Sequence, residues 1–200
     1  MRRRSVWLVA ALVAAGVTIA VTAYSFSQYM LPNFSVVRSG VLWRSGQPNT
    51  LGLQIAHLAG IKTIVCLRSS DSAEQAAEVE FARRHGIEFI PMPLQFSGAG
   101  AGDVVADFIA VVGDPAHQPV LVHCARGKER SGVCSAAFRM EYDGWTNQQA
   151  LDEMYDRGLK PGTLPQLEAL IRDYRPRQGA SVVATTAEDR LVPAAGPGQR

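Results

Sequence analysis

The sequence predicts an α/β fold, a mainly parallel central sheet with helices on both faces. Three observations lead to it. Short apolar, β-branched runs occur at residues 61–67 (IKTIVCL), 88–92 (EFIPM) and 119–123 (PVLVH), too short for helices and right for strands buried on both faces. Segments of helical length fall between and after them. Strands separated by helices imply a parallel sheet covered on both sides, and such sheets bind ligands beyond the carboxyl ends of their strands.

The elements follow in order. Residues 41–44 predict a further short strand ahead of the first long one. Helices are expected around 50–59, 72–85, 103–112, 130–142, 147–155 and 164–174. Ser72 starts the second of these with an acidic turn behind it, and Gly86 ends it after Arg83, Arg84 and His85.

The ends of the chain differ from this middle. Arg2, Arg3 and Arg4 precede an almost wholly apolar run at 6–24, which as a helix would be about 28 Å long. Residues 1–30 are therefore expected to be an N-terminal signal-anchor or transmembrane segment, with the arginines in the cytoplasm and the domain outside it. A cleaved signal peptide ending near Val21-Thr22-Ala23, releasing a secreted or periplasmic domain, is the alternative. Residues 31–177 form the expected folded domain. Residues 178–200, rich in Ala, Gly, Pro, Thr and Ser without periodicity, read as a disordered tail. The formal net charge of +2 includes the three leading arginines, so the remainder is close to neutral and offers no footprint for nucleic acid.

The run 119–123 ends one residue before Cys124, and residues 123–132 read HCARGKERSG. Here a strand passes through a loop into a helix. Backbone N–H groups of such a loop, together with the helix N-terminus, make a nest for a tetrahedral dianion. Gly127 permits the bend, and Gly132 lets the helix start close to the sheet. Arg130, six positions after Cys124, can close the loop and grip two phosphate oxygens with its planar guanidinium. The nest also lowers a thiol pKa from about 8.5 into the range of roughly 3.5–7.5, so Cys124 is a thiolate nucleophile at neutral pH. Ala125, Arg126, Gly127, Lys128, Glu129 and Ser131 line the cradle, Ser131 donating to the sulfur as it leaves. His123 is expected to fix the loop's shape rather than act as a base. With average residue usage this pattern arises by chance on the order of a few times per million chains of this length. Cys66 and Cys134 read as core packing.

These residues resemble the protein-tyrosine/dual-specificity phosphatase signature. Residues 33–175 are similar to the atypical dual-specificity group of plants, fungi and bacteria. Asn33 and Phe34 with the run 41–48 (VLWRSGQP), the run 61–68 (IKTIVCLR), and residues 114–132 with the Gly127-Lys128 pair carry the likeness. The resemblance implies the cysteine-phosphatase fold and a two-step reaction through a phosphocysteine at Cys124, with no metal and no other cofactor. It also implies a general acid from the loop after the preceding strand. In residues 94–103 (LQFSGAGAGD) the Asp of that loop is Asp103, which could equally be a helix N-cap. Glu129 is the second candidate and Asp107 the third.

The expected substrate is a phosphotyrosine protein. An inositol phosphate or phosphoinositide is the alternative, because Arg126 and Lys128 add positive charge beyond Arg130. A phosphate-binding pseudophosphatase should have lost Cys124. A reversible Cys66–Cys124 disulfide is a further expectation, since Cys66 ends a neighbouring strand.

Overall fold

The computed structural model describes residues 2–69 and 72–177, with side chains described from residue 12 onward. Its elements run α1 (Arg2–Met30), β1 (Ser35–Arg38), β2 (Leu42–Ser45), α2 (Thr50–Leu58), β3 (Thr63–Cys66), α3 (Ala73–His85), β4 (Glu88–Pro91), α4 (Ala101–Gly113), β5 (Val120–His123), α5 (Arg130–Tyr142), α6 (Asn147–Asp156) and α7 (Pro165–Asp173).

The five strands form one sheet in the order β1-β2-β5-β3-β4. All pairs are parallel except β1 with β2, an antiparallel edge that the sequence reading did not anticipate. β5 thus enters between β2 and β3, and every residue of β3 and β5 is buried. In the parallel register His123 lies between Ser45 and Cys66. The last residues of three strands therefore end at one level, where the chain continues into the loop after Cys124.

Strand alternation divides the core in two. Ile64 and Leu121 join Leu53 and Ala56 of α2 and Ala82 of α3 on one face. Val65, Val120 and Val122 face the larger cluster built by α4, α5, α6 and α7, with Phe108, Phe138, Met154 and Ile171 among its members. Local chemistry sets the helix starts. Asn49 accepts from the Gly52 N–H at 2.9 Å to cap α2, and Ser72 accepts from the Gln75 N–H at 3.2 Å to cap α3. Gly86 ends α3 in the left-handed conformation (φ 66°) that glycine adopts without strain.

One expectation needs correction. The apolar N-terminal run does form a helix, α1, but among the described residues no helix is long and apolar enough to cross a membrane. From Leu12 onward the apolar stretch meets Tyr24, Ser25, Ser27, Gln28 and Tyr29, so the described part holds no apolar window of bilayer length. The expected transmembrane anchor is withdrawn, and with it the placement of the domain outside the cytoplasm or its release there by cleavage. The side chains of residues 1–11, including Arg2–Arg4, lie outside the described set, as does the expected tail at 178–200. The end of α1 is tied to the domain through Met30, whose carbonyl accepts from the Asn49 N–H at 3.2 Å, and Leu31 is buried.

Candidate active site

The loop 124–130 hangs from the end of β5 and delivers the chain into α5. Cys124 is 1% exposed. Its Sγ accepts from the Gly127 N–H at 3.2 Å and lies 3.6 Å from the Ser131 hydroxyl. Burial pushes the Cys124 thiol up. Hydrogen bonds from the Ser131 backbone and hydroxyl and from the Gly127 and Arg126 N–H groups outweigh burial, and the thiol is held below its usual value. Cys134, one turn into α5, shows the opposite case. Among the described residues it has no such donors, and burial drives its thiol far up, as a packing cysteine.

Gly127 carries φ +72°, and a Cβ there would fall on the backbone of Ser45 and Gly46. Both reasons demand glycine. A Cβ on Gly132 would meet Met154 of α6 at 3.5 Å and the Arg44 guanidinium of β2 at 3.9 Å, so both a helix and the sheet lie against this position.

Arg130 is buried. Its Nη1 donates to the Leu67 carbonyl at 3.0 Å, just past β3, and its guanidinium lies over the Phe96 ring at 4.5 Å from the centroid. The segment after β3 and the one after β4 thus hold this side chain together. Arg126 projects outward and pairs with Glu129 at 2.6 Å. Lys128 lies along Gly158, where a Cβ would meet its stem and Nζ at 3.2 Å. A cavity of about 470 Å³ opens here, lined by Phe96, Arg126, Lys128, Glu129, Lys160 and Thr163, among others.

His123 projects to the opposite face of the sheet, toward α3. Its Nε2 is 3.0 Å from Glu78 Oε1, and both side chains are buried. Burial works against charging the imidazole. Hydrogen bonds with Cys66 and Glu78 and the carboxylate's charge prevail, and the pKa is raised to about 10. His123 Nδ1 is 3.5 Å from the Cys124 carbonyl, too long for a strong bond. Its partner Glu78 is therefore the firmer support. Cys66 belongs to this buried group. Its Sγ, a Glu78 carboxylate oxygen and a His123 ring nitrogen lie within 4.8 Å of one another. The expected Cys66–Cys124 bridge does not fit this arrangement. Cys66 shares the His123 side of the sheet, Cys124 packs in the cluster on the other side, and both thiols are free.

The acid candidates separate in space. Glu129 lines the cavity, while Asp103 and Asp107 are exposed on α4 and do not line it. Asp103 is not the N-cap either, because α4 starts at Ala101 after Gly100 in a left-handed conformation. Sequence reasoning missed Phe96, Lys160, Thr163 and Glu78. Lys160 and Thr163 sit in a turn between α6 and α7 with no motif. Glu78 lies in a helix crowded with acids, and only its burial sets it apart.

The family model described as "DSP-PTPase phosphatase fused to NAD+ Kinase" matches residues 26–170. The chain is 32% identical over 125 residues to Inositol diphosphatase DSP1 of Oryza sativa subsp. japonica, covering 60% of this chain and 54% of the relative. It is 24% identical over 143 residues to the dual specificity protein phosphatase TpbA of Pseudomonas aeruginosa, covering 71% and 63%. This chain thus spans little more than half the length of these curated relatives. Among solved structures, the core catalytic domain of the PP-IP phosphatase SIW14 from S. cerevisiae superposes with a TM-score of 0.60 at 24% identity, covering 73% of this chain and 88% of that one. TpbA of P. aeruginosa gives 0.58 at 23% identity, covering 72% and 86%. These two likenesses show the fold. With the family match extending over most of the chain and the cysteine loop at the end of the central strand, the chain belongs to this family of dual-specificity-type cysteine phosphatases.

Proposed function

We propose that residues 31–177 form a cysteine-dependent phosphomonoesterase. The observation that carries this reading is the environment of Cys124. A buried sulfur at the mouth of α5 receives the Gly127 N–H at 3.2 Å and lies beside the Ser131 hydroxyl. In the first step the Cys124 thiolate attacks phosphorus, an S–P bond forms and the P–O bond to the leaving group breaks. A carboxylic acid protonates the departing oxygen. In the second step water attacks the phosphocysteine, the S–P bond breaks, inorganic phosphate leaves and the thiolate returns. Arg130, the loop N–H groups and the N-terminus of α5 stabilise charge on the transferring phosphoryl group.

We assign the acid to Glu129, which lines the cavity, ahead of Asp103, which stands exposed on the first turn of α4. The first substrate reading is a phosphotyrosine-type phosphoprotein, in keeping with the signature at residues 123–132 and with the name of the Pseudomonas relative. A second reading, a multiply phosphorylated inositol, is favoured by one observation. Arg126, Lys128 and Lys160 gather around a single cavity, more cationic charge than one phosphate needs. The rice relative carries the name of an inositol diphosphatase.

The test is hydrolysis of para-nitrophenyl phosphate by the purified full chain in the presence of a metal chelator. Wild type should turn over, and Cys124→Ser should be inactive with an unchanged melting temperature. Turnover by the Ser variant would remove Cys124 from the role of nucleophile.

A further inference from the structure

The RSG stretch at residues 44–46 and Asn33 have no part in the reaction as described, yet they meet the back of the phosphate loop. Three consecutive carbonyls of that loop are each held by a donor from this early segment. The Gln47 backbone N–H donates to the Ala125 carbonyl at 3.1 Å. Asn33 Nδ2 donates to the Arg126 carbonyl at 2.7 Å. Arg44 Nη2 donates to the Gly127 carbonyl at 2.8 Å.

A planar trans peptide points its C=O and the following N–H in opposite directions. A carbonyl tied outward therefore turns the next residue's N–H inward. This is what the loop shows: the peptide whose oxygen Asn33 holds presents the Gly127 N–H to Cys124 Sγ at 3.2 Å. The peptide held by Gln47 presents the Arg126 N–H, another hydrogen bond that favours the thiolate. The peptide held by Arg44 turns the Lys128 N–H the same way.

The clamp is itself fixed. Asn33 adopts a left-handed conformation (φ 51°), and its N–H donates to Gln28 Oε1 at 2.9 Å at the end of α1. The next residue, Phe34, packs edge-on against Trp43 of β2 at 5.1 Å between centroids. Arg44 is wholly buried behind the loop, and among the described residues its side chain makes its hydrogen bond to the Gly127 carbonyl while Nε and Nη1 have no hydrogen-bond partner.

We propose that Asn33 and Arg44 are positioning residues of the phosphate cradle: by holding the Arg126 and Gly127 carbonyls outward they aim the loop N–H groups at the thiolate and at the bound phosphate. The proposal rests on the phosphatase reading and adds to it. These two residues, which aim the donors that favour the thiolate and bind phosphate, lie 91 and 80 positions before the nucleophile in sequence.

The test uses the full chain and needs no turnover. The rate at which iodoacetamide alkylates Cys124 is followed against pH by mass spectrometry of its peptide, with and without inorganic phosphate. Asn33→Gly keeps the left-handed backbone and removes only the amide donor. It should raise the midpoint of the alkylation profile by about half a unit to one unit. It should also raise the phosphate concentration needed for protection about three- to tenfold, with little change in melting temperature. Arg44→Lys, which keeps the charge but not the reach to Gly127, should weaken phosphate protection in the same direction. If Arg44→Lys fails to fold, Asn33→Gly decides alone. An Asn33→Gly chain with the wild-type midpoint and wild-type protection overturns the positioning role. A wild-type midpoint at the ordinary thiol value overturns the phosphatase reading beneath it, and the positioning role with it.

Discussion

The cradle and its rim are built on opposite terms. Residues 123–132 pass from the central strand into a buried helix. Cys124, Arg130 and Ser131 are nearly inaccessible, and each is held by named partners. The rim is drawn from Phe96 after β4, the outward Arg126 and the turn carrying Lys160 and Thr163, all exposed and gathered from distant parts of the chain. On the proposed mechanism the cradle is preorganised for one chemical group, a tetrahedral dianion. The rim carries exposed charge, and on that mechanism charge of this kind selects among phosphate esters rather than drives the reaction.

That contrast can be broken by substitution. The largest effect should come from Arg130→Lys, which keeps the charge but removes the planar fork. Turnover should fall by roughly two orders of magnitude or more, and a loss of only a few-fold would mean the cradle is not the seat of transition-state stabilisation. The acids come next. Glu129→Gln should cost about a hundredfold with phosphotyrosine or an alkyl phosphate and little with an activated aryl phosphate, the pattern of general-acid help. If Asp103→Asn shows that pattern instead, the segment 94–103 closes on the substrate and the acid belongs to the rim.

Glu78→Gln probes the support beneath the cradle. Removing one partner of a buried ion pair costs about 3–5 kcal/mol, which a denaturant titration would read directly. The pH dependence carries a sign. In the wild type His123 is raised above its unfolded value of about 6.5, so the pair's stabilisation is complete below that pH. It fades as pH rises toward about 10. In the variant a buried imidazole without its carboxylate resists charging, so the variant should lose stability as pH falls through about 6.5. The gap between the two proteins should therefore widen in acid, and a gap independent of pH would assign Glu78 to packing alone. The smallest effect belongs to the rim. Lys160→Gln should raise KM several-fold for a multiply phosphorylated inositol while leaving para-nitrophenyl phosphate unchanged, as expected for a screened, exposed charge. An equal change for both substrates would place Lys160 in the cradle.

The same division governs what the sequence made legible. β3 and β5 stood out because buried parallel strands are continuous apolar runs, β4 because the edge strand still carries Phe89 and Ile90, and the loop after β5 because its residues are contiguous. β1 did not: four residues with Val36 exposed on an antiparallel edge leave no periodic trace. The start of α4 was misplaced because Gly100, not a polar side chain, begins it. Lys160 was invisible because nothing local links it to a loop some thirty residues earlier. Cys66 was read with the wrong partner for a related reason. Its strand and its neighbour were right, but one step of alternation along β5 separates the His123 side of the sheet from the Cys124 side.

The insertion of β5 between β2 and β3 bears on how this molecule is made. The partners that clamp the loop from outside, Leu67 beyond β3 as well as Asn33, Arg44 and Gln47, are synthesised before Cys124, but none can act until the central strand has slotted into place. A nascent or partly unfolded chain therefore carries an ordinary thiol, with a pKa near 8.5 and mostly protonated at neutral pH. Reactivity arrives with closure of the sheet. On the proposed mechanism the sulfur gains its nucleophilic power, and its sensitivity to oxidants, in the same event that completes the fold.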